Sequence, residues 1–223
     1  MKDGNVTNKL DSTDCEKDLG VNIDPLLSFD KHINTICAKA RSLSGMILRN
    51  MEYRSFEILV PLFKALVRPH LEYANAVWSP YKAKHIKVIE QIQRNFTRMI
   101  DGMRNLDYPQ RLRKLKLPSL EFRRFRGDLI EAFKLTHNIY DPLTTQSLFS
   151  SAIFPYTRGH SYKLQKKFTN TTQYHHFFSN RIIDTWNTLP DVIVNADSVN
   201  IFKNKIDKHF QHIMYSIDLY KHL

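Results

Sequence analysis

An apolar stripe that runs straight through a proline constrains this chain more than any other feature. Leu59, Leu62, Phe63, Leu66, Val67, Leu71, Ala74 and Val77 recur at spacings of three and four, which places them on one face of a helix. Pro69 lies inside the stripe without resetting its phase. A proline within a helix removes one hydrogen bond and bends the axis, so the spacing predicts a kinked helix, or two helices in register. Ser79-Pro80 marks the break. Beyond it Ile86, Ile89, Ile92, Phe96 and Ile100 form a second stripe, while Lys84, Lys87, Gln91, Arg94 and Arg98 repeat on the opposite side. One side seeks a core, and the other is suited to anions or to solvent.

The rest of the chain supplies partners for those two stripes. Leu19, Val21 and Ile23 alternate with polar residues over 17–24, which predicts a short strand ended by Pro25. Ser28 or Asp30 is placed to cap a helix with Ile33, Ile36, Cys37, Ala40, Leu43 and Ile47 inward, ending near Asn50. Ser55 can cap the next helix, with Pro61 acceptable only in its first turn. The basic helix, over about 82–101, stops at Gly102, and Asn105 to Pro109 reads as a loop. After Pro118-Ser119 a further helix runs from Leu120 to about Tyr140 and buries Phe122, Phe125, Leu129, Ala132 and Phe133. Residues 144–157 read as a linker. Tyr162 to Phe168 and Thr172 to Phe177, around Thr169-Asn170-Thr171, predict a β-hairpin. Two helices follow, one with Ile182, Ile183 and Trp186 inward and one capped by Ser198 and running to about Tyr215. The expected fold is mainly α: a helical bundle with a short N-terminal strand and a small C-terminal β-hairpin plus helices. It divides into a polar lead-in and edge strand (1–27), a helical domain (28–143) and a C-terminal module (144–223).

With 223 residues, 42% of them hydrophobic, the chain can bury a core. No window approaches the roughly 20 apolar residues of a membrane span, and residues 1–12 carry no secretory apolar region, so an intracellular, nuclear or cytoplasmic protein without membrane contact is expected. Cys15 and Cys37 belong to no paired spacing, which leaves free thiols. The net charge of +11 is unevenly spread. Residues 1–30 hold three lysines against seven carboxylates, whereas residues 82–126 hold thirteen Lys and Arg against four acids. A concentrated positive field favours polyanions, nucleic acid first.

Catalytic and metal chemistries find little support. His209 and His212 lie three apart and His175 adjoins His176, but further ligands at metal-site spacing are lacking, so no metal or cofactor is expected. There is no GxSxG, and the six glycines form no phosphate-binding cluster. Arg126-Gly127-Asp128 matches an adhesive tripeptide by letter; within a helix Gly127 is better read as permitting close packing. What remains is a basic set, Lys84, Lys87, Arg94, Arg98, Arg111, Arg113, Lys114, Arg123 and Arg124. Many cations on one surface suit backbone-directed binding of nucleic acid, and Tyr108 could stack on an unpaired base.

Several blocks resemble one family. Glu16-Lys17-Asp18-Leu19-Gly20-Val21, with Leu27, Phe29, His32 and Ile33, is followed by Leu66 to Ala74 and by Trp78-Ser79-Pro80-Tyr81. Later come Ile89-Glu90, Gln93-Arg94, Arg123-Arg124 with Arg126 to Leu129, Thr157 to His160, Phe178 to Arg181 and Trp186-Asn187 with Leu189-Pro190. In this order, over about residues 15–212, they look like the region after the catalytic core in reverse transcriptases of non-LTR retrotransposons (LINE elements) of the jockey and chicken-repeat type. Polymerase chemistry in that family needs paired metal-binding aspartates, and this chain contains no Asp-Asp pair. The resemblance therefore implies a truncated piece of an RNA-directed DNA polymerase that is not itself an enzyme. The first strand would be the last edge of the palm, and the helices a thumb domain gripping RNA, DNA or an RNA:DNA duplex beside an upstream palm and fingers polypeptide. The competing expectations are a helical structural or protein-interaction domain with a solvated basic face, and a retroelement relic without function.

Overall fold

The computed structural model describes residues 13–150 and 159–217. The expected polar lead-in over residues 1–12 and part of the expected linker lie outside them. The fold is mainly helical, with one two-stranded sheet near the N-terminus. The expected single strand is a hairpin: β1 (Glu16–Asp18) pairs antiparallel with β2 (Val21–Ile23), with Asp18 opposite Val21. Leu19 and Gly20 both take positive φ, the conformation that reverses a chain in two residues. Leu19 therefore stands exposed at the tip instead of pointing inward, and Val21 is the residue the hairpin buries.

α1 (Asp30–Asn50) ends where the sequence predicts and buries Ile33, Cys37, Ala40 and Ile47. Its start differs. Phe29, in a left-handed conformation, holds the cap position, the Ser28 hydroxyl accepts only the Asp30 N–H at 3.4 Å, and the Asp24 carboxylate gathers the backbone N–H groups of Leu26, Ser28 and Phe29 at 2.8–3.1 Å. Buried His32 ties this corner together. Its Nδ1 accepts the Asn22 N–H at 3.3 Å and its ring lies 5.1 Å from that of Trp78.

The proline-crossed stripe is one interrupted helix. α2 (Phe56–Leu62) passes into a π-helical turn over Phe63–Val67 and then into α3 (Arg68–Glu72). The Arg68 N–H bonds back to the Phe63 carbonyl, five residues earlier. A wider turn at this point leaves room for the Pro69 ring, which in an α-helix presses on the carbonyl four residues behind it. The buried line is Leu59, Phe63, Val67 and Leu71; Leu66 rotates out to solvent. Pro61 sits in the second turn of α2, beyond the first turn to which the sequence confines it, and it is exposed, where the freed carbonyl is open to water. The stripe also ends before Ser79. Tyr73 leaves the helix, Ala74 takes positive φ, and α4 (Asn75–Trp78) restarts, so that Trp78 is buried while Val77 is exposed.

α5 (Ala83–Arg98) lies alongside α1 and carries a buried polar strip that periodicity does not reveal: Glu90, Gln93 and Thr97. The expected loop holds over Asn105 to Asp107, but Tyr108 and Pro109 already open α6 (Tyr108–Leu115), held by a capping box between Asp107 and Gln110. α7 (Leu120–Thr136) begins at Ser119, whose hydroxyl accepts the Phe122 N–H at 3.2 Å. Glu90 joins the three helices. Its carboxyl group accepts the Tyr108 hydroxyl and the N–H groups of Leu120 and Glu121, both at 3.2 Å, which gives the first turn of α7 its acceptor. Burial pushes the Glu90 carboxyl up; Tyr108, the Arg124 charge and the two amides pull against that.

Two apolar cores result. The first gathers residues between Val21 and Leu120; the second, residues between Phe122 and Ile213. The handover falls inside α7, so the helix expected to complete a 28–143 domain gives most of its inner face to the C-terminal segment. There Phe202, Ile206 and Phe210, on or just beyond α13 (Val199–His209), pack with Phe125, Phe133 and Trp186. Ser198 caps α13 as expected, but the helix stops at His209. α8 (Pro142–Leu148) occupies the start of the expected linker, and α9 (Thr172–His175) stands where a hairpin strand is predicted. The hairpin does not form because its backbone is satisfied otherwise. The Asn187 amide bonds both the N–H and the carbonyl of Leu164, the Trp186 indole donates to the Tyr162 carbonyl at 2.8 Å, and the Thr171 hydroxyl caps α9. α10 (Phe178–Arg181), α11 (Ile183–Thr188) and α12 (Asp191–Val194) complete the layer. Gly127 faces the Asn75 side chain, where an added Cβ would meet it at 3.4 Å.

Replacing Glu90 by Ala strips the acceptor from three buried donors and should lower the unfolding free energy by about 3 kcal/mol or more, measured by urea titration. Glu90→Gln, which keeps the shape and one acceptor, should cost less. Burial holds the His32 imidazole below its ordinary pKa, so the fold favours its neutral form. The stability it supports is complete above the unfolded pKa near 6.5 and is lost as pH falls toward the folded value. Glu90 and Asp128, pushed up by burial, act with the opposite sign, so a variant is needed to isolate the histidine. The drop in melting temperature between pH 7.5 and 5.5 should be smaller in His32→Gln than in the wild type; equal drops would exclude His32 as a contributor.

Candidate nucleic-acid interface

The nine cations singled out by the sequence do not share one surface. On α5, Lys84, Lys87 and Arg98 are exposed and Arg94 is half-buried, as an outward stripe at helical spacing requires. Lys84 is partly neutralised. It lies 3.4 Å from Asp30, the same carboxylate that meets Lys82 at 3.4 Å and His85 at 3.3 Å. On α6, Arg113 and Lys114 are exposed, but Arg111 is only 5% exposed.

Two members of the set are structural. Arg123 grips Glu72 through Nε and Nη2, closing α7 onto α3 together with Arg68, which lies 3.7 Å from the same carboxylate. Arg124 is 4% exposed, beyond reach of a large ligand. Its charge acts on Glu90 and on Asp128, one on each side of the handover between the cores. Asp128 in turn holds Arg181 at 2.8 and 2.9 Å, and Arg181 also donates to the carbonyls of Ala76 and His176. The adjacent Arg126 pairs with Asp207 on α13.

The basic residues that do converge are Arg94 and Arg111, over the Tyr108 ring, with Arg98 near enough for its charge to act on Arg111. The Arg94 guanidinium lies 4.9 Å and that of Arg111 5.5 Å from the Tyr108 ring centre. Tyr108 is buried with its hydroxyl given to Glu90, so it serves as a platform for guanidiniums and not as a base-stacking surface. Arg111 has Nε and Nη1 buried without a hydrogen-bond partner among the described residues. Burial lowers its proton affinity, and the Arg94 and Arg98 charges lower it further against the pull of Tyr108 and Asp107. Like charges gathered this way repel each other unless an anion joins them.

The sequence reading missed a second set of cations. Arg41 on α1, Arg54 in the α1–α2 connection and Arg104 beyond α5 meet Arg98 around a cleft of 820 Å³. They are scattered over the chain with no shared periodicity, and only the packing of α1 on α5 assembles them. Among the described residues no group of three or more His, Cys, Asp and Glu is placed to hold a metal ion, and no helix is long and apolar enough to cross a membrane.

No family model matches the chain, and no solved structure matches it. It is similar to an uncharacterized protein of Caenorhabditis elegans, 25% identical over 125 residues, a stretch that is 55% of this chain. The match takes in 61% of that relative's own length.

Proposed function

We propose that the chain is a nucleic-acid-binding thumb and C-terminal piece of a non-LTR retrotransposon reverse transcriptase, holding a primer-template duplex through the α5–α6 face. The observation that carries this reading is the α5–α6 face, where exposed Lys87, Arg98, Arg113 and Lys114 and half-buried Arg94 have no carboxylate bonded to them among the described residues, while Arg111 lies buried behind them, close enough for the Arg94 and Arg98 charges to act on it. Phosphates would supply the missing negative charge. Arg123 and Arg124 drop out of the interface and belong to the fold. With no adjacent aspartate pair in the chain, two-metal polymerisation falls to an upstream palm and fingers polypeptide.

A protein-interaction domain is the second reading, and it has its own observation. Leu19, Tyr73, Leu27 and Val77 are exposed near the hairpin, where the Tyr73 hydroxyl donates to the Leu19 carbonyl at 3.0 Å and Leu27 and Val77 border one small pocket. Such a patch suits a protein partner and gives no account of the basic cluster.

Salt titration of binding to an RNA:DNA duplex separates the two. About five phosphate contacts correspond to a slope of log affinity on log salt near −4.5, and removing three of them should bring it to about −1.8. The combined variant Lys87→Glu, Arg113→Glu, Lys114→Glu should show that change with its melting temperature preserved. Wild-type affinity indifferent to salt, or no binding near physiological salt, would reject the nucleic-acid reading.

A further inference from the structure

The cleft between the C-terminal halves of α1 and α5 is separate from the α5–α6 face except at Arg98. Asp30 at the start of α1 meets Lys82, Lys84 and His85 at the start of α5, so the two helices run the same way and both end at the cleft. Among the described residues four arginines, Arg41, Arg54, Arg98 and Arg104, and one acidic residue, Asp101, line it. Two helix C-termini add about −0.5 charge each. Together with Asp101 that offsets only about half of the positive charge, and Arg41 lies too far inside α1 to serve its end.

The guanidiniums are available. Among the described residues none of the four forms an ion pair; the Arg54 Nη2 only reaches the Leu48 carbonyl at 3.4 Å. The loop is fixed by its backbone, with the Asp101 N–H donating to the Arg54 carbonyl at 3.0 Å. Ser44 also borders the cleft, but its hydroxyl oxygen is buried, without a partner among the described residues. Exposed Met99 and half-buried Leu48 form an apolar part of the wall. At 820 Å³ the space is of the size that small organic ligands occupy.

We infer that this cleft binds a nucleotide through its phosphate, with the arginines on the phosphate oxygens and the apolar wall against sugar and base. Planar guanidiniums match phosphate in a bidentate fashion, which ammonium groups do not. The inference rests on the nucleic-acid reading only in taking the phosphate ester to be a nucleotide.

The test uses the full chain with AMP, adenosine and a short oligothymidylate as probes. AMP should bind and adenosine should not. Arg41→Glu combined with Arg104→Glu, neither of which lies on the α5–α6 face, should weaken AMP at least about tenfold with melting unchanged. The Lys87, Arg113, Lys114 variant should bind AMP normally. Oligothymidylate weakened in parallel by the cleft variant would make the ligand a strand; oligothymidylate unaffected would make it a free nucleotide, and both outcomes support a phosphate site. Adenosine binding as well as AMP, or AMP binding equally to the cleft variant, or no AMP binding, overturns the site. In that last case duplex binding by the α5–α6 face stands or falls on its own salt slope. Should the double charge reversal unfold the chain, Arg41→Gln with Arg104→Gln and the Nε–H resonances of the wild-type arginines titrated with phosphate give the same decision.

Discussion

The Glu90 carboxylate is the interaction on which the rest of this structure depends. It projects from α5 into the junction of α5, α6 and α7 and takes three donors there, two of them the opening amides of α7. A helix start buried in protein leaves orphan N–H groups that water cannot reach, so something must accept from them. Ser119 takes one and Glu90 takes two. The direction of α7 is thereby set from α5, and α7 in turn supplies the apolar face on which the C-terminal segment folds.

A buried carboxylate is expensive unless opposite charge is close, and the interior provides it in alternation. Glu90 and Asp128 are the negative members, Arg124 and Arg181 the positive ones, strung from the first core to the second. Among the described residues Arg124 makes no direct hydrogen bond through its two terminal nitrogens, and its charge acts on both carboxylates. This explains why α7 reads as basic and yet contributes little to the outer surface: its arginines are spent on Glu72, Asp207 and the interior.

The helical framework was largely legible in the sequence because periodicity reports burial directly. Leu59, Phe63, Val67 and Leu71, the inward face of α1, and Phe202 and Ile206 on α13 all follow from it. The failures have particular causes. A hairpin is predicted at Tyr162–Phe168 and Thr172–Phe177 from residue type, but Trp186 and Asn187 take the backbone of Tyr162 and Leu164, and Thr171 caps a helix over the second segment. The buried fate of Arg111 and Arg124 depends on neighbours from other helices, which no local pattern records, and the arginines of the α1–α5 cleft come from three separate stretches. Leu19 alternates correctly for a strand and sits on the turn because Gly20 allows the chain to reverse.

The π-helical turn at Phe63–Val67 makes the interrupted helix a phase shifter. A π turn is an α-helix that has accepted one more residue than its winding calls for, and one residue amounts to about 100° of rotation. Everything from Arg68 to the end of α3, including the Leu71 contact and the placement of Glu72 under Arg123, is read in the shifted frame. The chain therefore counts residues here more strictly than it specifies them. Exchanging one side chain for another in Phe63–Val67 alters packing at one place, whereas losing a single residue would turn the following segment to a different face and separate two halves of the first core that are otherwise intact.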